Sequence, residues 1–372
     1  MKVWVLTSSR ADYGIYFPLL KRMKDDTFFD IKIIAFGTHL SQKFGYSLNG
    51  IISDGFEVYK HIEGLLKGDS RHDIALEMGH YTIQFAKLWD EFDGDIALVL
   101  GDRYEMFAAV TSSIPFQIPI AHIHGGETTL GAIDNIFRHT ITMASKIHFT
   151  ANSVFSERVT ELVGQSKNIY TVGSLSLENM ENITLYTKEE IFNLYKIDTT
   201  KPTILFTFHP ETINDEKNEY FVEEIIGALE YLIGYFQIVI TLPNADTQNI
   251  IVRDALQKFG VENIDNVVLI ENFGSKGYFS CMKYASFVLG NSSSGIIESA
   301  SLHKYNINLG DRQKGRLASK NTIHCAIDKK SIISTVKRVN KLGKYNDGNV
   351  YYQKDPSKKI IQILKNYMDG QQ

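Results

Sequence analysis

Hydrophobic residues along this 372-residue chain fall into short runs, and each run ends in a polar or glycine-containing turn before an amphipathic stretch begins. In the first half the runs are KVWVLTSSR, DIKIIAFGTH, DIALVLGDR, PIAHIHGGE and KIHFTA. They are rich in β-branched residues and nearly continuous rather than alternating, which is typical of strands buried on both faces of a parallel sheet. The stretch 73–92 between two of them has the periodicity of an amphipathic helix. The first half therefore predicts alternating strands and helices.

The same rhythm returns in the second half with TILFTFHPE, FQIVITLPNAD, NVVLIENF, SFVLGNSSSG and YNINLGDR. A chain of 372 residues is too long for one ordinary core, so two α/β domains of Rossmann type are predicted. We place them at 1–170 and 171–352. The amphipathic tail, 353–372, is expected to form a helix that packs back on either domain. A capping box, Thr187 to Glu190, is predicted to begin one of the helices.

Composition excludes several classes of function. The net charge is −4, which gives no basic surface for nucleic acid or an anionic membrane. No apolar run approaches the roughly 20 residues that a membrane helix needs. The two cysteines, Cys281 and Cys325, form neither a disulfide framework nor a pair with metal-binding spacing. We therefore expect a cytoplasmic protein without a nucleic-acid or membrane partner.

Chemically distinctive residues collect where the predicted strands end. In open parallel sheets ligands bind beyond the carboxyl ends of the strands, so these positions indicate one cleft shared by two domains that face each other. The positions are Arg10, Asp102, Arg103, His122 to Glu127, His209, Asn244 and Asn291 to Ser294.

The segment GNSSSGIIE, 290–298, follows a strand and opens a helix. Its glycines allow a close backbone approach, and the hydroxyls of Ser292 and Ser293 would stand at a positive helix terminus, which suits a phosphate or diphosphate. Glu298, one turn later, could accept hydrogen bonds from ribose hydroxyls. Arg312 in the next turn supplies a cation. The alternative is an ordinary serine-rich helix cap.

His209 lies at the end of TILFTFHPE, before a proline turn. A histidine there either is a hydrogen-bonded structural residue or contacts the leaving phosphate. Asn244 in the turn after the next strand is a candidate hydrogen-bonding group, and Asp246 is equally suited to cap a helix.

In HIHGGE, His122 and His124 would project from one face if the strand stays regular. No third ligand has zinc spacing, so no metal is expected. Glu127 and Asp134 are better interpreted as two nearby carboxylates, one of which would have a raised pKa, so that one acts as an acid and the other as a base. The alternative for Asp134 is helix capping.

Two further strand ends add charge to this region. Asp102 and Arg103 follow the run DIALVL, and Glu105 in the same segment is interpreted as the partner of a neighbour. Arg10 lies in the turn after the first strand, where a cation that faces the cleft is favoured over an ordinary surface residue.

Together these motifs resemble the UDP-N-acetylglucosamine 2-epimerase family, and specifically its hydrolysing branch. The resemblance covers almost the whole chain in order, through SSRADYG, GDRYE, HIHGGE with DNIFRH, VGSLSLEN, FHPET, PNAD, GNSSSGIIE and GDRQKGR. It implies a two-domain fold of the glycosyltransferase-B type, with UDP held mainly by the second domain.

The resemblance also implies roles for matching positions. Asp102, Glu127 and Asp134 would be carboxylates around the sugar, and which of them is the base at C2 stays open. Arg10 and His209 would act near the diphosphate. The remaining positions implied for UDP are Gly173, Asn244, Phe273 (by stacking on uracil), Ser292, Ser293, Glu298 and Arg312.

The activity that the resemblance implies is anti elimination of UDP from UDP-N-acetylglucosamine, which gives a 2-acetamidoglycal, followed by hydration to N-acetylmannosamine for sialic acid synthesis. Such an enzyme is a hydrolase of glycosidase type, needs no cofactor and is expected to be a homo-oligomer, either a dimer or a tetramer. Three alternatives are the same reaction on UDP-2,4-diacetamido-2,4,6-trideoxyglucose for legionaminic acid, a glycosyltransferase of the same fold, and a binding module without turnover.

Overall fold

The computed structural model describes residues 1–42, 45–65, 68–213, 215–243, 248–271 and 273–370. Its contacts group the chain into two compact units. The first comprises Met1–Glu127, Asp134–Asn182 and Tyr351–Gln372, and the second comprises Thr128–Ile133 and Ile183–Val350. The six residues that connect HIHGGE to the following helix therefore belong to the second unit.

The first unit is a parallel sheet of strands β1 (Lys2–Thr7), β2 (Asp30–Phe36), β3 (Val58–Ile62), β4 (Ile96–Leu100), β5 (Ile120–Ile123), β6 (Ile147–Thr150) and β7 (Ile169–Thr171). Its helices up to residue 182 are α1 (Arg10–Lys24), α2 (Leu48–Ser53), α3 (Arg71–Trp89), α4 (Tyr104–Ser113), α5 (Asp134–Met143), α6 (Ser153–Val163) and α7 (Leu175–Asn182). The strand order across the described sheet is β3-β2-β1-β4-β5-β6-β7.

Both faces of this sheet are buried, as the continuous apolar runs predict. Along β1, Val3 and Val5 join one hydrophobic cluster with Leu19 of α1. Trp4 and Leu6, which alternate with them, join a second cluster that includes α3 residues. Tyr81, Phe85 and Trp89 of α3 belong to this second cluster and are at most 2% exposed, so they are core residues.

The second unit repeats the architecture with strands β8 (Thr203–Thr207), β9 (Gln237–Thr241), β10 (Val267–Ile270), β11 (Phe287–Gly290), β12 (Asn306–Leu309) and β13 (Thr322–Cys325). Its helices are α8 (Lys188–Tyr195), α9 (Asn218–Leu232), α10 (Asn249–Glu262), α11 (Gly274–Tyr284), α12 (Ser293–Ile297) and α13 (Lys329–Val339). The strand order is β10-β9-β8-β11-β12-β13, and the described pairs are parallel. The predicted capping box at the start of α8 is confirmed.

Each sheet has a position at which the order of the strands reverses. In the first unit the chain runs outward from β1 through β2 to β3 and then resumes on the other side of β1 with β4. In the second unit it runs from β8 through β9 to β10 and resumes beside β8 with β11. Ligands of open α/β sheets bind beyond the strand ends at such a switch point, because the loops on its two sides diverge. The β1/β4 and β8/β11 ends are therefore the places to examine for a site.

The C-terminal segment returns to the first unit as helix α14 (Pro356–Asp369). Ile360 and Leu364 of this helix join the cluster that contains Val3 and Val5. At its start, the backbone N–H and hydroxyl of Ser357 donate to the Glu178 carboxylate at 2.8 and 2.6 Å. The tail thus packs on the first unit, one of the two alternatives that the sequence leaves open. The domain bounds 1–170, 171–352 and 353–372 stay a proposal.

Of the helices in the described ranges, none is both long enough and apolar enough to cross a membrane.

Candidate functional site

The switch point of the first sheet carries two of the predicted site residues, Arg10 and Asp102. Arg10 is the first residue of α1 directly after β1, and Asp102 follows β4 in a turn that Gly101 opens with a φ of +77°, a conformation that favours glycine. Charges of both Arg10 and Arg103 act on the buried imidazole of His39, beyond the end of β2. Burial, with these two arginines, lowers the pKa of His39 to about 4, while Asp12 opposes the shift. The ends of β1, β2 and β4 therefore form one electrostatic neighbourhood.

Arg138 of α5 ties Asp102 to the loop after β5. Its Nη2 donates to the Asp102 carboxylate, and its Nη1 donates to the backbone oxygen of Glu127 at 3.0 Å. The Arg138 side chain is 3% exposed and that of Asp102 is 25% exposed, so the pair is largely shielded while the carboxylate keeps a solvent-facing edge. The sequence assigns no role to Arg138, although DNIFRH contains it.

Arg103 makes a separate pair with Glu105. Its Nε and Nη2 donate to the two Glu105 oxygens at 3.1 and 2.9 Å. Glu105 is fully buried, and burial raises its pKa while Arg103 acts in the opposite direction. Glu105 thus pairs with a neighbour, as the sequence indicates.

His122 is bonded at both ring nitrogens. Its Nε2 lies 2.8 Å from the carbonyl oxygen of Gly101, and its Nδ1 lies 3.1 Å from the hydroxyl of Thr142 on α5. A carbonyl only accepts, so Nε2 carries the hydrogen and Nδ1 accepts from Thr142. Burial lowers the pKa of His122 to about 3, so the ring stays neutral. His122 therefore holds the turn before Asp102 against α5.

His124 differs from His122 because β5 ends at Ile123. His124 has a φ of +65°, and its Nδ1 lies 2.7 Å from Oε1 of Glu127. Both residues are buried, with 7% and 2% of their surfaces exposed. The expectation that His122 and His124 share one strand face is therefore wrong, since the regular strand stops between them. Among the described residues, no group of three or more His, Cys, Asp or Glu side chains is placed to hold a metal ion.

Asp134 is the first residue of α5 and stands one helical turn before Arg138. The six residues between Glu127 and Asp134 belong to the second unit. There the Leu130 N–H donates to the Lys314 oxygen at 2.8 Å, and Gly131 lies too close to the Asp311 backbone for any side chain. The two carboxylates proposed for the sugar thus flank a segment that is bonded into the second unit.

At the second switch point, the loop after β11 is bonded to the loop after β8. The Asn291 amide exchanges two 2.7 Å hydrogen bonds with the backbone N–H and oxygen of His209. Gly290 has a φ of +137° and lies against the Thr207 backbone, which leaves no space for a Cβ. Ser292 is the N-cap of α12, and its hydroxyl accepts from the Ser294 N–H at 3.4 Å. His209 and the serine loop are therefore neighbours.

The basic turn after β12 reaches the same loop. Arg312 Nη1 and Gln313 Nε2 donate to the Asn291 backbone oxygen at 3.5 and 3.0 Å. Glu298 is 5% exposed at the end of α12. Its charge reaches Tyr278 of α11, and burial raises the pKa of Tyr278 to about 12. Tyr278 also lies beside Ser294, a proximity that no sequence signal indicates.

The other candidate positions are more scattered. Gly173, after β7, has a φ of +99° and packs against Gln353. Phe273 is 6% exposed and packs in a hydrophobic cluster, 4.7 Å from the Tyr195 ring between centroids, so its stacking on uracil stays a prediction. Asn244 and Asp246 lie outside the described residues.

Comparisons with known proteins agree with this picture. A family model described as UDP-N-acetylglucosamine 2-epimerase matches residues 21–365. A Campylobacter jejuni protein named GDP/UDP-N,N'-diacetylbacillosamine 2-epimerase (hydrolyzing) is 32% identical over 327 residues, which cover 88% of this chain and 85% of that protein. The polysialic acid biosynthesis protein P7 of Escherichia coli is 29% identical over 372 residues, 99% of this chain and 94% of its own length.

Among solved structures, a Neisseria meningitidis UDP-GlcNAc 2-epimerase bound to UDP-GlcNAc superposes with a TM-score of 0.81 and 19% identity, covering 98% of this chain and 100% of that chain. At this identity the likeness concerns the fold. It confirms the predicted class, two parallel-sheet α/β domains of the glycosyltransferase-B type.

Proposed function

The chain belongs to the UDP-N-acetylglucosamine 2-epimerase family, and we propose that it is a hydrolysing 2-epimerase of a UDP-linked 2-acetamido sugar. Its products are UDP and the free sugar inverted at C2. The observation that carries the proposal is the division of chemistry between the two switch points. In the first unit, Asp102 pairs with Arg138, which also bonds the backbone of Glu127. In the second unit, hydroxyl and guanidinium donors lie around Asn291.

The second-unit cluster suits a diphosphate. Ser292 and Ser293 stand at the start of α12, and Arg312 contributes a cation that is bonded to the same loop. Buried Glu298 suits ribose hydroxyls, because a carboxylate accepts from two vicinal hydroxyls at once. In this proposal His209 and Arg10 act near the diphosphate, and Gly173, Asn244 and Phe273 complete the nucleotide site.

The first-unit cluster suits the proton transfers. Elimination breaks the C2–H and C1–O bonds, forms a C1=C2 double bond and releases UDP. Hydration then adds water at C1 and a proton at C2 from the opposite face. Each well-placed acid or base contributes about 10²- to 10⁴-fold to the rate. The set Asp102, Glu127 and Asp134 provides these groups, while Arg312 and the serine hydroxyls stabilise the charge that develops on departing UDP.

Two sugars are candidates. UDP-N-acetylglucosamine, which would give N-acetylmannosamine for sialic acid synthesis, is supported by the family description and by the polysialic acid relative. UDP-2,4-diacetamido-2,4,6-trideoxyglucose is supported by the Campylobacter relative, which is named for that sugar as N,N'-diacetylbacillosamine. The two differ only at C4 and C6, so the same elimination serves both.

The test is to incubate the purified protein with each UDP-sugar alone and to follow products by NMR. We expect UDP and the free C2-inverted sugar from one of the two, without any acceptor. An Asp102→Asn variant is the matched control, since it keeps size and removes the carboxylate. Turnover that requires an added acceptor would establish a glycosyltransferase, and binding of both sugars without release of UDP would establish a binding module.

A further inference from the structure

His124 holds a backbone conformation that is uncommon for a residue with a side chain. Its φ of +65° lies in the left-handed region, directly after the last residue of β5. Such a conformation persists only where the surrounding structure maintains it, and it concentrates at functional sites. Because of this turn, the His124 imidazole does not follow the alternation of side chains along β5, to which His122 belongs. The result is that His124 meets Glu127 three residues later.

The contact with Glu127 fixes the tautomer of His124. Nδ1 lies 2.7 Å from Oε1 of Glu127, a length typical of a charge-assisted hydrogen bond. A carboxylate only accepts, so Nδ1 carries the hydrogen. In the neutral ring Nε2 therefore keeps its lone pair. This is the arrangement in which a carboxylate orients an imidazole and stabilises its protonated form.

The Nε2 atom of His124 is buried and hydrogen-bonds to no atom in the described part of the chain. The side chain is 9% exposed, so bulk water does not compensate for the missing partner. Leaving a buried polar atom unbonded destabilises a fold, so each such atom requires a physical explanation. Nδ1 of His148 is another such atom, but no carboxylate orients that ring among the described residues. His122, two residues earlier, bonds through both nitrogens and has no basic atom to offer.

We propose that His124 is the catalytic base at C2 and that Glu127 is a positioning residue that acts through it. The inference rests on the proposed function and deepens it. Three separate observations concern His124: its backbone has a left-handed φ, its Nδ1 bonds a carboxylate, and its buried Nε2 has no hydrogen-bond partner among the described residues. Asp102 and Asp134 then serve the later proton transfer and the water.

The step is balanced as follows. The lone pair of His124 Nε2 takes the C2 proton, and the electrons of the C2–H bond form the C1=C2 double bond. The C1–O bond breaks, and its electron pair leaves on the β-phosphate oxygen of UDP. His124 becomes an imidazolium whose charge is balanced by Glu127. In the second half-reaction, one of the carboxylates of Asp102 and Asp134 takes a proton from water as the water oxygen bonds to C1, and the carboxyl group of the other delivers a proton to C2 from the opposite face. His124 releases its proton to solvent before the next turnover.

The first experiment compares His124→Asn with His148→Asn. The asparagine amide still donates towards Glu127, but it has no basic nitrogen. His148 is the matched control, because it is a buried histidine on strand β6, where it lies opposite His122 of the neighbouring strand β5. We expect His124→Asn to lower UDP-sugar turnover by about 10²-fold or more, while His148→Asn stays within about threefold. Melting curves and UDP calorimetry on both variants show that each is folded and binds nucleotide.

A partial reaction separates catalysis from a structural role. When the 2-acetamidoglycal is supplied together with UDP, hydration bypasses the elimination step. His124→Asn should hydrate the glycal at close to the wild-type rate although it fails to eliminate UDP. If both half-reactions fall equally, His124 is structural, and if elimination is unimpaired, the base lies elsewhere. Absence of turnover in the wild-type protein with either UDP-sugar would instead overturn the proposed function.

The double variant tests whether Glu127 acts through His124. Residues that act as one unit are not additive, so Glu127→Gln with His124→Asn should be no slower than the slower single variant. A further loss of about 10²-fold in the double variant would show that Glu127 contacts the substrate independently, which would overturn the positioning role.

Discussion

The polar side chains at the two switch points have different kinds of hydrogen-bond partner. In the first unit the charged side chains bond to one another, as Asp102 does with Arg138 and His124 with Glu127. In the second unit the side chains converge on the backbone, since Arg312 and Gln313 both donate to the Asn291 oxygen. The difference fits the tasks proposed for them. An acid or base needs a neighbour that fixes where its proton lies, whereas an anion site needs donors held in place by the chain.

Gly101 and Gly290, which precede the polar residues of the first and second switch points, also differ from each other. Around Gly101, a Cβ would meet no atom within 4 Å among the described residues, so only its φ of +77° requires glycine. Gly290 combines a φ of +137° with direct contact to the Thr207 backbone. The first turn therefore leaves open space beside Asp102, and the second is fixed by close packing of two strands.

The largest expected effect concerns the carboxylates of the first unit. Glu127→Gln and Asp134→Asn should each lower turnover by about 10²-fold or more, because the first removes the carboxylate that orients His124 and the second removes an acid–base group, while both amides keep size. UDP affinity should change little, since neither carboxylate is among the groups proposed for the nucleotide. Steady-state kinetics and UDP calorimetry measure the two quantities. Near-normal turnover in both variants would leave Asp102 as the remaining carboxylate candidate.

Deuterium labelling gives this first prediction an independent check. Elimination discards the original C2 proton, so product formed by the wild-type protein in deuterated water should carry deuterium at C2. Full retention of the original hydrogen would contradict elimination, because in this mechanism a different group delivers the new proton from the opposite face.

We expect low pH to destabilise the first unit more than the second. Burial lowers the pKa of His122 to about 3 and of His148 and His39 to about 4, from an ordinary value of 6.5. The unfolded chain then binds more protons than the folded one below pH 6.5, so stability is lost as pH falls towards 4. The loss is on the order of 1.5 kcal/mol per histidine between pH 6.5 and 5.

Urea unfolding followed by tryptophan fluorescence tests this prediction, because Trp4 and Trp89 both lie in the first unit. His148→Asn is the matched variant and should shrink the acid-dependent loss by about a third, as one of the three histidines. Equal stability at pH 6.5 and 5 would contradict the prediction.

A smaller effect is expected at Glu298. If its carboxylate accepts ribose hydroxyls, Glu298→Ala should weaken UDP binding by about 1.5–3 kcal/mol, roughly 10- to 100-fold. Turnover at saturating substrate should change far less than in the carboxylate variants of the first unit. Glu230→Ala, an exposed position on α9 of the same unit, is the control. Calorimetry that shows unchanged UDP affinity in Glu298→Ala would exclude the ribose role.

The smallest effect is expected from metal removal. Neither motif spacing nor the described side chains offer a metal-binding group, so exhaustive chelation should leave turnover unchanged. Activity that is lost on chelation and restored only by a divalent ion would overturn this prediction and require a different account of how UDP departs.

The sequence by itself determined the alternation of strands and helices, the two parallel sheets and the set of strand ends that carry polar chemistry. These features are local, because a continuous apolar run followed by a turn and an amphipathic stretch specifies strand, loop and helix within about 30 residues. The sequence also placed His209 and Ser292 after the strands that proved to be β8 and β11. It did not reveal β3, β7 and β13, because these strands lie at sheet edges and lack the continuous buried apolar run of the others.

Only the tertiary structure decided which polar groups are partners. Arg138 meets Asp102 across 36 positions, and His124 bonds Glu127 whereas His122 bonds Gly101. Whether His124 continues the strand depends on a single backbone rotation at the end of β5, which no periodicity encodes. The segment from Thr128 to Ile133 joins the second unit through bonds to residues far along the chain. Hydrogen-bond partners are set by distances of a few tenths of an ångström between separate elements, and those distances exist only after the sheets have packed.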